Sequence, residues 1–197
     1  MLAIHLSKEL SSTWSAAVTA SGVFPDTVRV IDSGTAGMVM GAAAMAAAKL
    51  AQEGASLDEC YAAAINTLER GHTLVYLSST EELRRSGRMS AATAMLSTAL
   101  LATKPIMAIE GGKLEMVGKT RTQTKAFTKL VDLVASRAEG NPAFIAVQYN
   151  EDKVSARRLE DLLRLALPDS SFMLVPLTDV LAVHVGPGAI GVSAVFS

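Results

Sequence analysis

Apolar positions along this chain follow two different periods, and the places where the period changes mark its elements. Leu2 to Leu6 and Val28 to Ile31 are short apolar runs of strand length, and Asp32-Ser33-Gly34 ends the second. Ser11 to Ala20 has helical spacing. A longer helix is predicted over Thr35 to Gln52, stopping at Gly54. Ser56-Leu57-Asp58-Glu59 reads as a capping box, in which hydroxyl and carboxylate each take a backbone N–H. Its helix runs to Gly71, which suits the C′ position. Thr73 to Leu77 is the next strand. Strands alternating with helices in this way predict parallel βαβ units.

After residue 78 the pattern changes. Ser79 to Glu82 starts a short helix that Gly87 ends, and Ser90 to Leu101 reads as another. Ile106 to Glu110 and Lys113 to Val117 flank Gly111-Gly112, a hairpin signature. Gln123 to Ala138 is amphipathic and helical. A strand at Phe144 to Tyr149, a helix at Lys153 to Leu167 and a strand at Phe172 to Val175 follow. Val180 to Val185 and Ala189 to Phe196 read as closing strands. The expected fold is α/β in two domains. Residues 1–78 form a parallel βαβ unit, and residues 79–197 form a mixed-sheet α+β unit.

Composition narrows the partners. The 197 residues carry 18 basic and 19 acidic side chains, a net charge of −1. No basic excess exists to neutralise a phosphate backbone, so nucleic acid is not expected. A single cysteine, Cys60, excludes an intramolecular disulfide and suits a reducing, cytoplasmic setting. Met1 to Leu6 lacks the basic and apolar regions of a signal peptide. The apolar stretch Ala36 to Ala48 is shorter than the ~20 residues that span a bilayer. Membrane contact is therefore expected to be transient at most.

Several motifs look chemical and fail on context. Gly186-Pro187-Gly188-Ala189-Ile190-Gly191 matches a dinucleotide fingerprint by letter, but a strand and not a helix is predicted after it. A hairpin turn is the simpler reading. Gly118-Lys119-Thr120 lacks the upstream glycine of a phosphate loop, because position 113 is Lys113. His5, His72 and His184 lie far apart and Cys60 stands alone, so no metal site is expected. Ser11 and His184 could pair as nucleophile and base, yet no G-x-S-x-G elbow is present. Arg88 sits between Gly87 and Met89 on a turn, where its five-donor fork can reach into a cleft.

Taken together, these stretches resemble the DegV family, fatty-acid-binding proteins of bacteria. Leu10-Ser11-Ser12-Thr13 is similar to the family's Leu-Ser-Gly-Thr, and Asp32-Ser33 to its Asp-Ser strand end. Glu82 to Ser90, ending in Gly87-Arg88-Met89-Ser90, is similar to its Leu-Lys-Lys-Gly-Gly-Arg-Ile-Ser. Lys104-Pro105-Ile106, Lys119-Thr120-Arg121-Thr122 and His184-Val185-Gly186-Pro187-Gly188 match three further signatures in order. Ser12 and Ser86 depart from the family by replacing glycines. The family also begins with a further α/β stretch that carries Asp-Ser-Thr and Thr-Ser-Gln-Pro segments. Neither occurs here, which implies a member lacking the N-terminal part of the first domain, or a start assigned late.

The resemblance implies a truncated first domain and a second domain, residues 79–197, that completes a lipid-binding cleft between the two, with a long-chain fatty acid in an apolar tunnel there and its carboxylate held by Ser11, Arg88 and His184. It implies a carrier with no chemistry of its own, no cofactor and no metal, which presents the acid to a separate fatty-acid kinase. An unpaired apolar edge at Leu2 to Leu6 would favour a homo-oligomer. The alternative from the residues alone is a hydrolase or transferase acting on a small acyl or phosphorylated substrate, with His184 as general base.

Overall fold

The computed structural model describes residues 1–88 and 103–197. Its strands form two sheets. β1 (Leu2–His5) and β2 (Arg29–Asp32) pair in parallel, Leu2 opposite Arg29 and His5 opposite Asp32. A parallel pair cannot be joined by a tight turn, and α1 (Thr13–Ser21) lies in the crossover. α2 (Met38–Gln52) and α3 (Leu57–Glu69) follow as a helical hairpin. Ala43, Ala47, Cys60 and Ala64 are buried together with Ile31, and such short side chains let the helices approach closely. The capping box forms as expected: Ser56 Oγ accepts from the Glu59 N–H, and the Glu59 carboxylate accepts from the Ser56 N–H at 2.8 Å.

The larger sheet contains β3 (Gly71–Tyr76), β4 (Lys104–Glu110), β5 (Lys113–Thr120), β6 (Ala143–Tyr149), β7 (Ser171–Pro176) and β8 (Ile190–Phe196). Its order is β5-β4-β3-β8-β6-β7. Only β6 and β7 run parallel; the other neighbours are antiparallel. α5 (Gln123–Ala138) and α6 (Lys153–Ala166) cover one face. There Phe127, Leu130, Leu159 and Leu163 pack on Tyr76, Ile145 and Val192. Tyr76 and Phe127 meet edge to face, with centroids 5.5 Å apart. The opposite face presents Val75, Leu77, Met107 and Ala189 to Leu10 and Val185, and Val195 to Val39 and Ala42 of α2. The segments around the small sheet thus pack on the face that α5 and α6 leave open.

The structure corrects the sequence reading in four places. First, β3 does not extend the small parallel sheet. It pairs antiparallel with β4 and β8 inside the larger one, and among the described residues the small sheet is the β1–β2 pair. Alternation along the chain cannot say which partner a strand takes. Second, Val180 to Val185 is not a strand but part of α7 (Asp179–Val185). Its β-branched residues suggested a strand. However, Leu181, His184 and Val185 share one side at helical spacing, and Val183 is turned out to solvent. Third, the Gly186–Gly188 turn therefore links a helix to β8 rather than closing a hairpin. Fourth, Gly71 follows the C-cap Arg70 at the expected C′ position but has no left-handed backbone; it opens β3, where a Cβ would lie 2.2 Å from Val39 Cγ1. The helix expected over Ser90 to Leu101 lies outside the described residues.

Candidate functional site

A cavity of about 170 Å³ lies against the open face of the larger sheet. Leu74, Val75, Ile109 and Leu114 form its sheet side, and Leu6, Leu10, Leu177, Leu181 and Val185 face them. Among the described residues, the polar side chains of Ser11, Thr13, Thr73, Arg88, Gln148 and His184 interrupt this apolar wall. The three residues singled out by sequence therefore line one cavity, although they come from segments far apart in the chain.

Each is placed by a short local device. Ser11 closes a turn in which the Leu10 and Ser11 N–H groups donate to the Ser7 carbonyl at 2.9 and 3.1 Å. Ser7 is buried and donates its own N–H to the Thr35 carbonyl at 2.8 Å, which ties this turn to the loop after β2. Ser11 Oγ accepts from the Thr13 N–H and donates to Thr13 Oγ1, both at 3.3 Å. The Asp32-Ser33 pair shapes the facing loop: Asp32 Oδ1 accepts from the N–H groups of Lys8 and Gly34, and Ser33 Oγ accepts from that of Thr35. Ser12, where the family has glycine, adopts φ −79°, so its side chain imposes no backbone strain.

Arg88 follows α4 (Glu81–Ser86), which ends at Gly87 with φ 67°, a left-handed cap that costs glycine little. The cap turns the chain back, and Arg88 Nε reaches the Leu10 carbonyl at 3.5 Å while Nη1 donates to the Ser86 carbonyl at 2.5 Å. Among the described residues no carboxylate pairs with it. Arg88 is exposed, whereas Ser11 and His184 are half-buried.

His184 projects from the last turn of α7. A feature invisible to motif reading holds that turn. Asn150 Nδ2 donates to the carbonyls of Ala182 at 3.3 Å and Gly186 at 2.7 Å, and the Asn150 carbonyl accepts from Gly188 N–H at 2.9 Å. Gly186 at φ 77° and ψ 172° occupies a region open essentially to glycine alone. No carboxylate among the described residues orients the imidazole.

The other motifs resolve into structure. Gly118 to Thr120 lies within β5, and Thr122 caps α5 by accepting from the Lys125 N–H. Lys104 Nζ donates to the Ser78 carbonyl at 2.7 Å. His72 is buried on β3, with Nδ1 4.0 Å from Glu110 Oε1. Desolvation, and then the Arg137 guanidinium, lower its pKa below the ordinary 6.5, and Glu110 opposes them. Among the described residues no cluster could hold a metal, and no helix is long and apolar enough to cross a membrane. Sequence reading missed Thr13, Thr73, Gln148 and Asn150. The one usable sign was Gln148, a single polar residue inside the apolar run Ala143 to Tyr149.

These features define an α/β protein with a small parallel sheet and a larger mixed one, carrying an apolar cavity studded with hydrogen-bond donors. The chain belongs to the DegV family: the family model, described as uncharacterised protein of the DegV family, matches residues 1–197. It is similar to the crystal structure of a DegV family protein from Corynebacterium glutamicum. The two are 60% identical with a TM-score of 0.96, over 100% of this chain and 75% of that one. A fatty-acid-binding DegV family protein from Thermus thermophilus is 29% identical with a TM-score of 0.90, over 98% and 70% of the respective chains. DegV from Bacillus subtilis, described as a fatty acid binding protein, is 27% identical with a TM-score of 0.85, over 100% and 70%.

Proposed function

We propose that this chain binds a long-chain fatty acid, with the acyl tail in the cavity and the carboxylate at Ser11, Arg88 and His184. The observation that carries the reading is the convergence of these three side chains on one otherwise apolar cavity. A carboxylate taken out of water needs charge pairing and hydrogen bonds. Arg88 supplies the charge, Ser11 a hydroxyl, and His184 a donor that strengthens on protonation. Binding by the Thermus thermophilus and Bacillus subtilis relatives supports the same ligand class. The seat lies between the unit built on β1 and β2 and the unit built on the larger sheet.

In this reading the protein is a carrier in the cytoplasm that presents the acid to a separate kinase. A base-catalysed hydrolase would need a group to orient His184, and the described residues offer no carboxylate for it. Native mass spectrometry of the purified protein tests the proposal. A co-purifying or added long-chain acid bound one to one is the expected result. Turnover of an ester or phosphate without retained acid would replace the carrier by an enzyme.

A further inference from the structure

Gln148 is the polar residue of the cavity wall that the carboxylate site leaves unexplained. It lies on β6 and is only 5% exposed. Its Oε1 accepts from the Met38 N–H at 2.9 Å and from the Ser193 hydroxyl at 3.1 Å. A backbone N–H can only donate, so the amide oxygen and not the nitrogen must face Met38. This fixes the rotation of the carboxamide and turns Nε2, with its two N–H donors, away from the start of α2. No described residue accepts from Nε2. Thr73, the neighbouring polar group, donates its hydroxyl to the Ala36 carbonyl at 3.1 Å and pairs with Thr35 Oγ1 at 2.9 Å. Gly37 and Gly191 flank the amide and put no side chain over it; a Cβ at Gly37 would stand 2.7 Å from Oε1.

Depth separates this donor from the others. Arg88 is exposed and Ser11 and His184 are half-buried, while Gln148 is buried. An acid whose carboxylate lies with Arg88 at the rim therefore runs its hydrocarbon past Gln148. A buried donor beside a plain alkyl chain loses its water and gains no partner. We propose that Gln148 is a specificity-determining residue that selects acyl chains carrying an oxygen acceptor, a hydroxyl or keto group, along the tail. This rests on the fatty-acid reading above.

The test compares stearic acid with a series of mono-hydroxystearic acids whose hydroxyl stands at successive carbons, in the parent and in Gln148→Met. Methionine keeps the length of the side chain, and Ser193 Oγ, 3.0 Å from Met38 N, still accepts the helix N–H in the variant. In the parent, one hydroxyl position should bind roughly 10-fold or more tighter than stearic acid. In Gln148→Met that preference should vanish and stearic acid should bind at least as well as in the parent. A second measurement needs no variant: the Gln148 side-chain amide resonances of the parent should shift with the preferred hydroxy acid and not with stearic acid. Equal affinity across the series, or a preference that survives in Gln148→Met, overturns the assignment and leaves the fatty-acid reading intact. If the parent binds neither stearic acid nor any hydroxylated analogue, both readings fall.

Discussion

Arg88 Nε lies 3.5 Å from the carbonyl oxygen of Leu10, so a residue 78 positions downstream is held beside the turn that ends in Ser11. The contact brings the guanidinium and the hydroxyl together without using the guanidinium up. Arg84 and Arg85, on the preceding helix, are exposed, and Arg85 pairs with Glu82 at 3.7 Å.

Arg88→Ala should therefore weaken fatty-acid binding by about 1.5–3 kcal/mol, the range for a hydrogen bond to a charged group. Arg84→Ala should change it by ~0–1 kcal/mol. Titration with a fluorescent fatty acid reads both, and indistinguishable affinities would remove Arg88 from the site.

His184 makes a separate prediction. Glutamine keeps a neutral donor of similar reach, and alanine keeps none. Binding should persist in His184→Gln and fall by ~1–3 kcal/mol in His184→Ala. A general base would behave differently, because glutamine cannot take up a proton and would lose activity as fully as alanine.

Gly37 tests the backbone. It stands at φ 73° before α2, and a Cβ there would be 2.7 Å from Gln148 Oε1. Gly37→Ala combines a left-handed alanine with a displaced buried amide. A loss of at least ~1–3 kcal/mol in urea unfolding is expected. Gly34→Ala is the control: φ is 59°, but nothing lies within 4 Å of its Cβ. It should cost less.

His72 governs a pH effect. Burial lowers its pKa in the folded state, so between the folded value and 6.5 the unfolded chain binds more protons. The contribution is absent above pH 6.5, where both states are neutral, and becomes destabilising as pH falls through that window. Stability should drop below pH 6.5, and His72→Gln should flatten that part of the curve in denaturant titrations at several pH values. An unchanged slope would mean that other groups carry the acid sensitivity.

Local chemistry made much of this legible. Ser56 and Glu59 announce their helix, Gly111-Gly112 its hairpin, and the amphipathic spacing of Gln123 to Ala138 its bounds, because each is decided within a few residues. The placement of β3 was not legible, since its pairing joins residues as far apart in the chain as Gly71 and Val195. α7 was misread because a seven-residue segment offers both periods, and the cavity it borders decides between them. Ser11, Arg88 and His184 were singled out through ordered motifs, and all three line the cavity. Gln148 and Asn150 belong to no motif, and their meaning comes only from the helix ends they face.

Gln148 lies in β6 and Asn150 is the residue that follows the strand's last, Tyr149. The first fills the leading N–H of α2, and the second fills the trailing carbonyls of α7. Both walls of the cavity are thus gauged from one ruler. If β6 slipped by a single residue, Gln148 would turn toward the α5–α6 layer and the start of α2 would lose its anchor. The spacing of the two helix ends beside the cavity is thus set by the register of one strand and by the residue that follows it.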